Sequence, residues 1–105
     1  MAQFDIHSNT DPRTRDETPY LVDLQAEALS ELATRVVAPV RPRAAHRQSV
    51  ISRLHPVIPV GDVEHVAFVS ELAAVPASIL GPVVASARHL RTDLADATDL
   101  LLTGF

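Results

Sequence analysis

Only one stretch of this chain is long and periodic enough to read as a helix, and it comes last, from Gly81 to Phe105. Pro82 suits a first helical position, where a missing N–H costs nothing. Val83, Ala87, Leu90, Leu94, Ala97 and Leu101 then recur at spacings of four and three, one apolar stripe for packing. After Leu100-Leu101-Leu102 come Thr103, Gly104 and Phe105, an apolar finish where a frayed polar tail is the default. Such an ending has to be covered by its own fold, by a twin subunit or by a target.

The rest of the chain breaks into short pieces. Gln3 to His7 is a candidate strand with Phe4 and Ile6 on one face, and Ser8 to Pro19 is a polar loop with two prolines. Tyr20, Val22 and Leu24 alternate with Leu21, Asp23 and Gln25, the pattern of a half-buried strand. Ala26 to Leu32 fits a helical turn or a loop equally well. Arg35 to Arg43 is β-like, but Pro39 and Pro42 place it at a sheet edge or a bulge. Ala44 to Arg53 is open between a short helix and a loop leading into a strand. Leu54 to Val60 and Val63 to Ser70 flank Gly61-Asp62, and glycine first in a two-residue loop suits a type II′ hairpin. Glu71 to Leu80 contains Val75-Pro76 and ends in the break Gly81-Pro82. Short strands followed by one terminal helix make a β-rich α+β fold, and 105 residues make one domain, 1–105.

With 47% apolar and 21% charged residues, the composition is that of a soluble globular protein. No apolar run reaches a membrane span and no secretory signal opens the chain, so a cytoplasmic location without membrane contact is expected. Cysteine is absent, which removes disulfides, thiolate ligands and thiol nucleophiles together. The net charge of −4 is unevenly spread: no acid falls between Leu32 and Gly61, while Arg35, Arg41, Arg43, Arg47 and Arg53 all do. That segment is either a solvated face or a basic patch for nucleic acid or an acidic partner.

Signatures of catalysis are few. The five histidines form neither HxH nor HExxH, so no metal site and no cofactor are expected. His89 lies four residues before Asp93, a surface pair on a helix. Arg13, Thr14 and Arg15 are either solvated loop residues or the makings of an arginine-based catalytic set. Asp93, Asp96 and Asp99 recur every three residues in the last turns of the expected helix, where the backbone dipole disfavours anions by about 0.3–1 kcal/mol each. They read as a solvated stripe or a face for a cationic partner. Four aromatics, Phe4, Tyr20, Phe68 and Phe105, give base stacking little support.

Taken in order, these segments resemble the CcdB toxins of bacterial toxin–antitoxin modules. The resemblance rests on Gln3-Phe4, on Tyr20-Leu21-Val22-Asp23-Leu24-Gln25, and on Arg35-Val36-Val37-Ala38-Pro39-Val40. It continues through Arg53-Leu54-His55-Pro56-Val57 with Gly61-Asp62, and through Leu72-Ala73-Ala74-Val75-Pro76-Ala77-Ser78-Ile79-Leu80-Gly81. It closes on a helix ending in glycine and an apolar residue. The resemblance implies an SH3-like antiparallel barrel of the CcdB/MazF type, with a small extra sheet and a C-terminal α-helix. It further implies a non-enzymatic homodimer whose paired helix tips enter the DNA gyrase A subunits and trap cleaved DNA. A CcdA-like antitoxin would remove the toxin and form a complex that represses its own operon, so DNA is met only through gyrase or that complex. Carried onto this sequence, the target-binding residues are Asp99, Thr103, Gly104 and Phe105. The family's closing Trp-Gly-Ile is here Thr103-Gly104-Phe105, and Asp99 stands where asparagine is usual. Two alternatives follow: a MazF-like endoribonuclease using arginine and Ser/Thr side chains, or a CcdB-like chain that binds antitoxin but no longer poisons gyrase. Gyrase or topoisomerase IV as target, and the contacts of Arg35 to Arg53, stay open.

Overall fold

A computed structural model describes residues 2–46 and 51–104. The strands are β1 (Asp5–Asn9), β2 (Tyr20–Asp23), β3 (Thr34–Pro42), β4 (Val57–Val60), β5 (Val63–Ala67), β6 (Ala73–Pro76) and β7 (Leu80–Ser86), followed by helix α1 (Arg91–Thr103). Every pairing is antiparallel, in the order β4-β5-β3-β2-β1-β7, with β6 branching off β3. The sheet curls into a half-barrel closed by α1. Ile6, Val22, Ala38 and Val40 line its inner face and meet Ile58, Ala67 and Val69, while Leu94 and Ala97 of α1 plug the opening. Fully burying a side chain such as Leu94 contributes about 1.5–3 kcal/mol.

The hairpin at Gly61-Asp62 is as read. Val60 faces Val63 across a two-residue loop, and Gly61 alone of the loop pair takes a positive φ, of 61°, as the first position of a type II′ turn requires. Its arms are shorter than the pattern suggested, since Val69–Glu71 winds into a 3-10 turn. Glu27–Leu29 and Arg43–Ala45 are also 3-10 turns. Residues 47–50 of the ambiguous segment, including Arg47, lie outside the described residues.

Two expectations are corrected. Arg35 to Arg43 is no edge: β3 pairs with β2 on one side and with β6 and then β5 on the other. Its prolines fit because of where their missing N–H groups point. Leu24 N–H donates to the carbonyl of Val36, so even-numbered residues of β3 face β2 and Pro39 faces away. On that side β5 ends opposite Val40 and β6 begins opposite Val37, leaving a gap at Pro39. Its carbonyl is still used, accepting from Phe68 N–H at 2.8 Å.

The second correction concerns the terminal helix. Gly81 to Ser86 is strand, not helix, and α1 begins only at Arg91, after a 3-10 turn over Arg88–Leu90. The β-branched Val83-Val84 pair favours the strand, and pairing with β1 supplies its hydrogen bonds. Two register shifts against β1 leave Val84 as the extra residue of one bulge and set Gly81 and Pro82 together against Ser8 in the other, a place in a strand that tolerates proline. The stripe survives in part: Ala87, Leu94 and Ala97 are fully buried, while Leu101 and Val83 are exposed.

Gly81 is required by close approach. A Cβ there would stand 2.9 Å from Thr10 Cγ2 and 3.0 Å from both Ser8 Cβ and the Ser8 carbonyl oxygen. The His7 Nδ1 lies 2.9 Å from the Gly81 carbonyl oxygen, pinning β7 from the other side. Gly81→Ala is therefore expected to destabilise the fold by about 1–3 kcal/mol, read as a lower urea midpoint at unchanged slope.

Candidate functional site

The exposed end of α1 is built by two hydrogen bonds. Gly104 closes the helix in the left-handed conformation, φ 81°, and its N–H donates to the Leu100 carbonyl at 3.0 Å, an αL cap. The Thr103 hydroxyl turns back onto the Asp99 carbonyl at 2.7 Å. Asp99, Thr103 and Gly104 are all exposed on this end, beside Leu102, which is 69% exposed. Phe105 lies outside the described residues. The result is a capped, solvent-facing tip with an apolar flank.

Next to Asp99 the surface falls into a hollow of about 180 Å³ walled by Gln3, Phe4, Leu24, Leu94, Ala95 and Thr98. Phe4 is held with φ 69°, a conformation that costs a bulky residue about 1–2 kcal/mol. Two backbone bonds fix it there: its N–H donates to the Asp23 carbonyl at 2.6 Å, and its carbonyl accepts from Ala87 at 2.8 Å. The Gln3 amide donates to the Leu24 carbonyl at 3.0 Å. Gln3, Phe4 and Leu24 had no site signal of their own in the sequence; only the closure of the N-terminal segment against α1 brings them to Asp99.

The three helical aspartates do not act alike. Because α1 begins at Arg91, Asp93 sits in its first turn, where the dipole favours an anion. Asp93 and Asp96 line a groove of about 630 Å³ with Ser52, Arg53, Pro56 and Val57, on a different side from the Asp99 hollow. His89 belongs to the preceding 3-10 turn, so it and Asp93 do not share a helix as the spacing suggested.

Three arginines of the acid-free segment, Arg35, Arg41 and Arg43, form no basic patch. Acids from other segments meet them. Arg35 is fully buried, and its Nε and Nη2 both donate to Asp23 Oδ2, the former at 3.1 Å. Arg41 forms two bonds to the Glu71 carboxylate, at 2.7 and 3.0 Å, a third to Thr18 Oγ1 at 2.9 Å, and lies 4.9 Å from the Phe68 ring centre. The Arg41 bonds hold the Glu71 carboxyl below the usual carboxylate range. Arg43 reaches Glu64 at 3.5 Å.

Two arrangements with catalytic residue types are wired for structure. His55 Nε2 lies 2.7 Å from Ser70 Oγ, yet its Nδ1 accepts the Ile51 N–H at 3.1 Å. A neutral ring then carries its proton on Nε2 and donates to Ser70, the reverse of what activates a serine nucleophile. In the first loop Arg13 is fastened to Asp11 at 3.2 Å and Thr14 Oγ1 accepts from the Asn9 amide at 3.0 Å. The bond from Arg13 keeps the Asp11 carboxyl below its ordinary range. Among the described residues no group of three or more His, Cys, Asp or Glu could hold a metal ion, and no helix is long and apolar enough to cross a membrane.

Comparison with known proteins adds two findings. A family model described as CcdB protein matches residues 3–104. Among solved structures, Mycobacterium tuberculosis toxin MazF-mt6 superimposes with a TM-score of 0.70 over 92% of this chain and 94% of its own, at 16% sequence identity. At that identity the likeness speaks for the fold.

Proposed function

The chain belongs to the CcdB family of toxin–antitoxin toxins, and from that premise we propose that it binds the DNA gyrase A subunit through the end of α1 and traps gyrase on cleaved DNA. The observation that supports this most is the tip itself: Asp99, Thr103 and Gly104 stand exposed on a capped helix end with Leu102 beside them. A preorganised protrusion loses little freedom on binding, and an apolar edge on it gives a target something to cover. No bond is made or broken by the toxin; it acts by occupying a gate that must close for religation. We read residues 1–105 as one toxin domain, acting in the cytoplasm as a homodimer that a CcdA-like antitoxin neutralises and uses for autoregulation. The edge strand β7, uncharged from Leu80 to Ser86 with Val83 and Val84 exposed, supports a twin subunit as its cover.

The test is to incubate the purified protein with gyrase, supercoiled DNA and ATP, and to score linear DNA after detergent and protease. Accumulation of linear DNA is expected. Degradation of added RNA instead would establish the MazF-like nuclease alternative, and inactivity in both assays would favour a chain that binds antitoxin without poisoning gyrase.

A further inference from the structure

The hollow beside Asp99 has a neighbour with which it shares two walls, and we treat the two as one groove. A second hollow, of about 440 Å³, is walled by Gln3, Phe4, Glu27, Arg88 and Arg91, so the two meet at Gln3 and Phe4. Together they follow α1 from Asp99 back to Arg91, eight residues or about 12 Å. The groove has a polarity. Asp99 supplies an anion at the tip end, and Phe4, Leu24, Leu94 and Ala95 make the middle apolar. At the far end Arg88 and Arg91 face the single acid Glu27. Arg88 pairs with Glu27 at 3.2 Å, while Arg91 is exposed and has no ion-pair partner among the described residues. The middle is rigid, because Phe4 is fixed by backbone bonds at both its N–H and its carbonyl.

We propose that this groove takes a segment of the target protein that presents a basic, an apolar and an acidic side chain in that order, spaced over about 12 Å from the tip inward. The proposal rests on the reading of the α1 end as the target contact, with which the groove is continuous at Asp99. In an extended segment, alternate residues lie on one side, so positions one, three and five span about 13 Å. The basic residue meets Asp99, the apolar one packs on Phe4 and Leu24, and the acidic one meets Arg91. Charge order, more than contact area, then sets which segment fits, because the unsuited charge brings repulsion as well as a lost pair.

The test uses the full chain and three seven-residue capped peptides in which alanine alternates with Lys-Leu-Glu, Lys-Leu-Lys or Glu-Leu-Glu. The mixed peptide fits in either chain direction, so only its charge balance distinguishes it from the other two. Titrations followed by backbone amide shifts are expected to move Gln3, Phe4, Arg91, Ala95 and Thr98, with the mixed peptide preferred by about three-fold over each like-charged one, as exposed pairs allow. Arg91→Glu is expected to make Lys-Leu-Lys the best ligand, and Asp99→Lys to make Glu-Leu-Glu the best. Equal affinities for the three peptides, shifts elsewhere, or unchanged preferences in both variants with wild-type spectra would overturn the proposal. Peptide preferences of the expected kind in a chain that ignores gyrase would leave the groove in place and remove gyrase as its target.

Discussion

Asp23→Ala is expected to remove about 3–5 kcal/mol of folding stability, a large share of the 5–15 kcal/mol typical of a small domain. Asp23 and Arg35 have no exposed side-chain area. Arg35 gives both Nε and Nη2 to one carboxylate oxygen, while the other oxygen accepts the Gln25 N–H at 2.9 Å. Deleting the carboxylate leaves a fully buried guanidinium without its counter-charge, already with Nη1 lacking a partner. The cost lies in the stranded cation, not in the worth of the pair. Hence the double variant Asp23→Leu with Arg35→Met, apolar at both positions, is expected to recover most of the loss. Urea unfolding of the four corners of that cycle checks the claim; a cost below about 1 kcal/mol for Asp23→Ala would mean that the site admits water.

Thr103→Trp is expected to tighten binding to the gyrase A subunit by about 30-fold, equivalent to about 2 kcal/mol, the usual worth of an aromatic anchor at an interface centre. The position tolerates the change because Thr103 is exposed and its hydroxyl bonds no further than the Asp99 carbonyl within the same helix turn, among the described residues. Stability should move by no more than about 0.5 kcal/mol, as for a surface substitution away from special contacts. The ring would extend the apolar edge formed by Leu102 at the capped end. Titration calorimetry against the gyrase A subunit measures the gain. Unchanged or weaker binding would show a tip shaped for another surface.

How much of this was legible depended on how local each cause was. The Gly61-Asp62 hairpin was readable because its determinants lie within a two-residue loop. The second half of α1 was readable from Leu94 and Ala97, whose burial follows helical spacing. The stretch from Gly81 to Ser86 was misread because Val83 and Ala87 happen to continue that spacing, while the partner that makes it a strand, β1, lies at the other end of the chain. Pro39 and Pro42 pointed to an edge because proline lacks a donor; nothing nearby in sequence announces the gap between β6 and β5 that makes the missing donor harmless. The acid-free arginine run suggested a patch for the same reason, since Asp23, Glu64 and Glu71 come from other strands and turns. Of the site, Asp99, Thr103 and Gly104 were placed by resemblance, whereas the groove through Gln3, Phe4 and Arg91 needed the fold.

β3 carries a consequence for how the chain reaches its structure. It pairs with β2 before it and with β5 and β6 after it, so one of its edges can be covered only by segments that follow it. Each pairing closes a loop whose entropy is lost before the contact is gained. During synthesis β3 emerges with only β2 available, and its second edge stays open until β5 and β6 follow. A chain ordered in this way can complete its sheet only when β6 and β7 are present, and the exposed end of α1, carried on the last element, follows them.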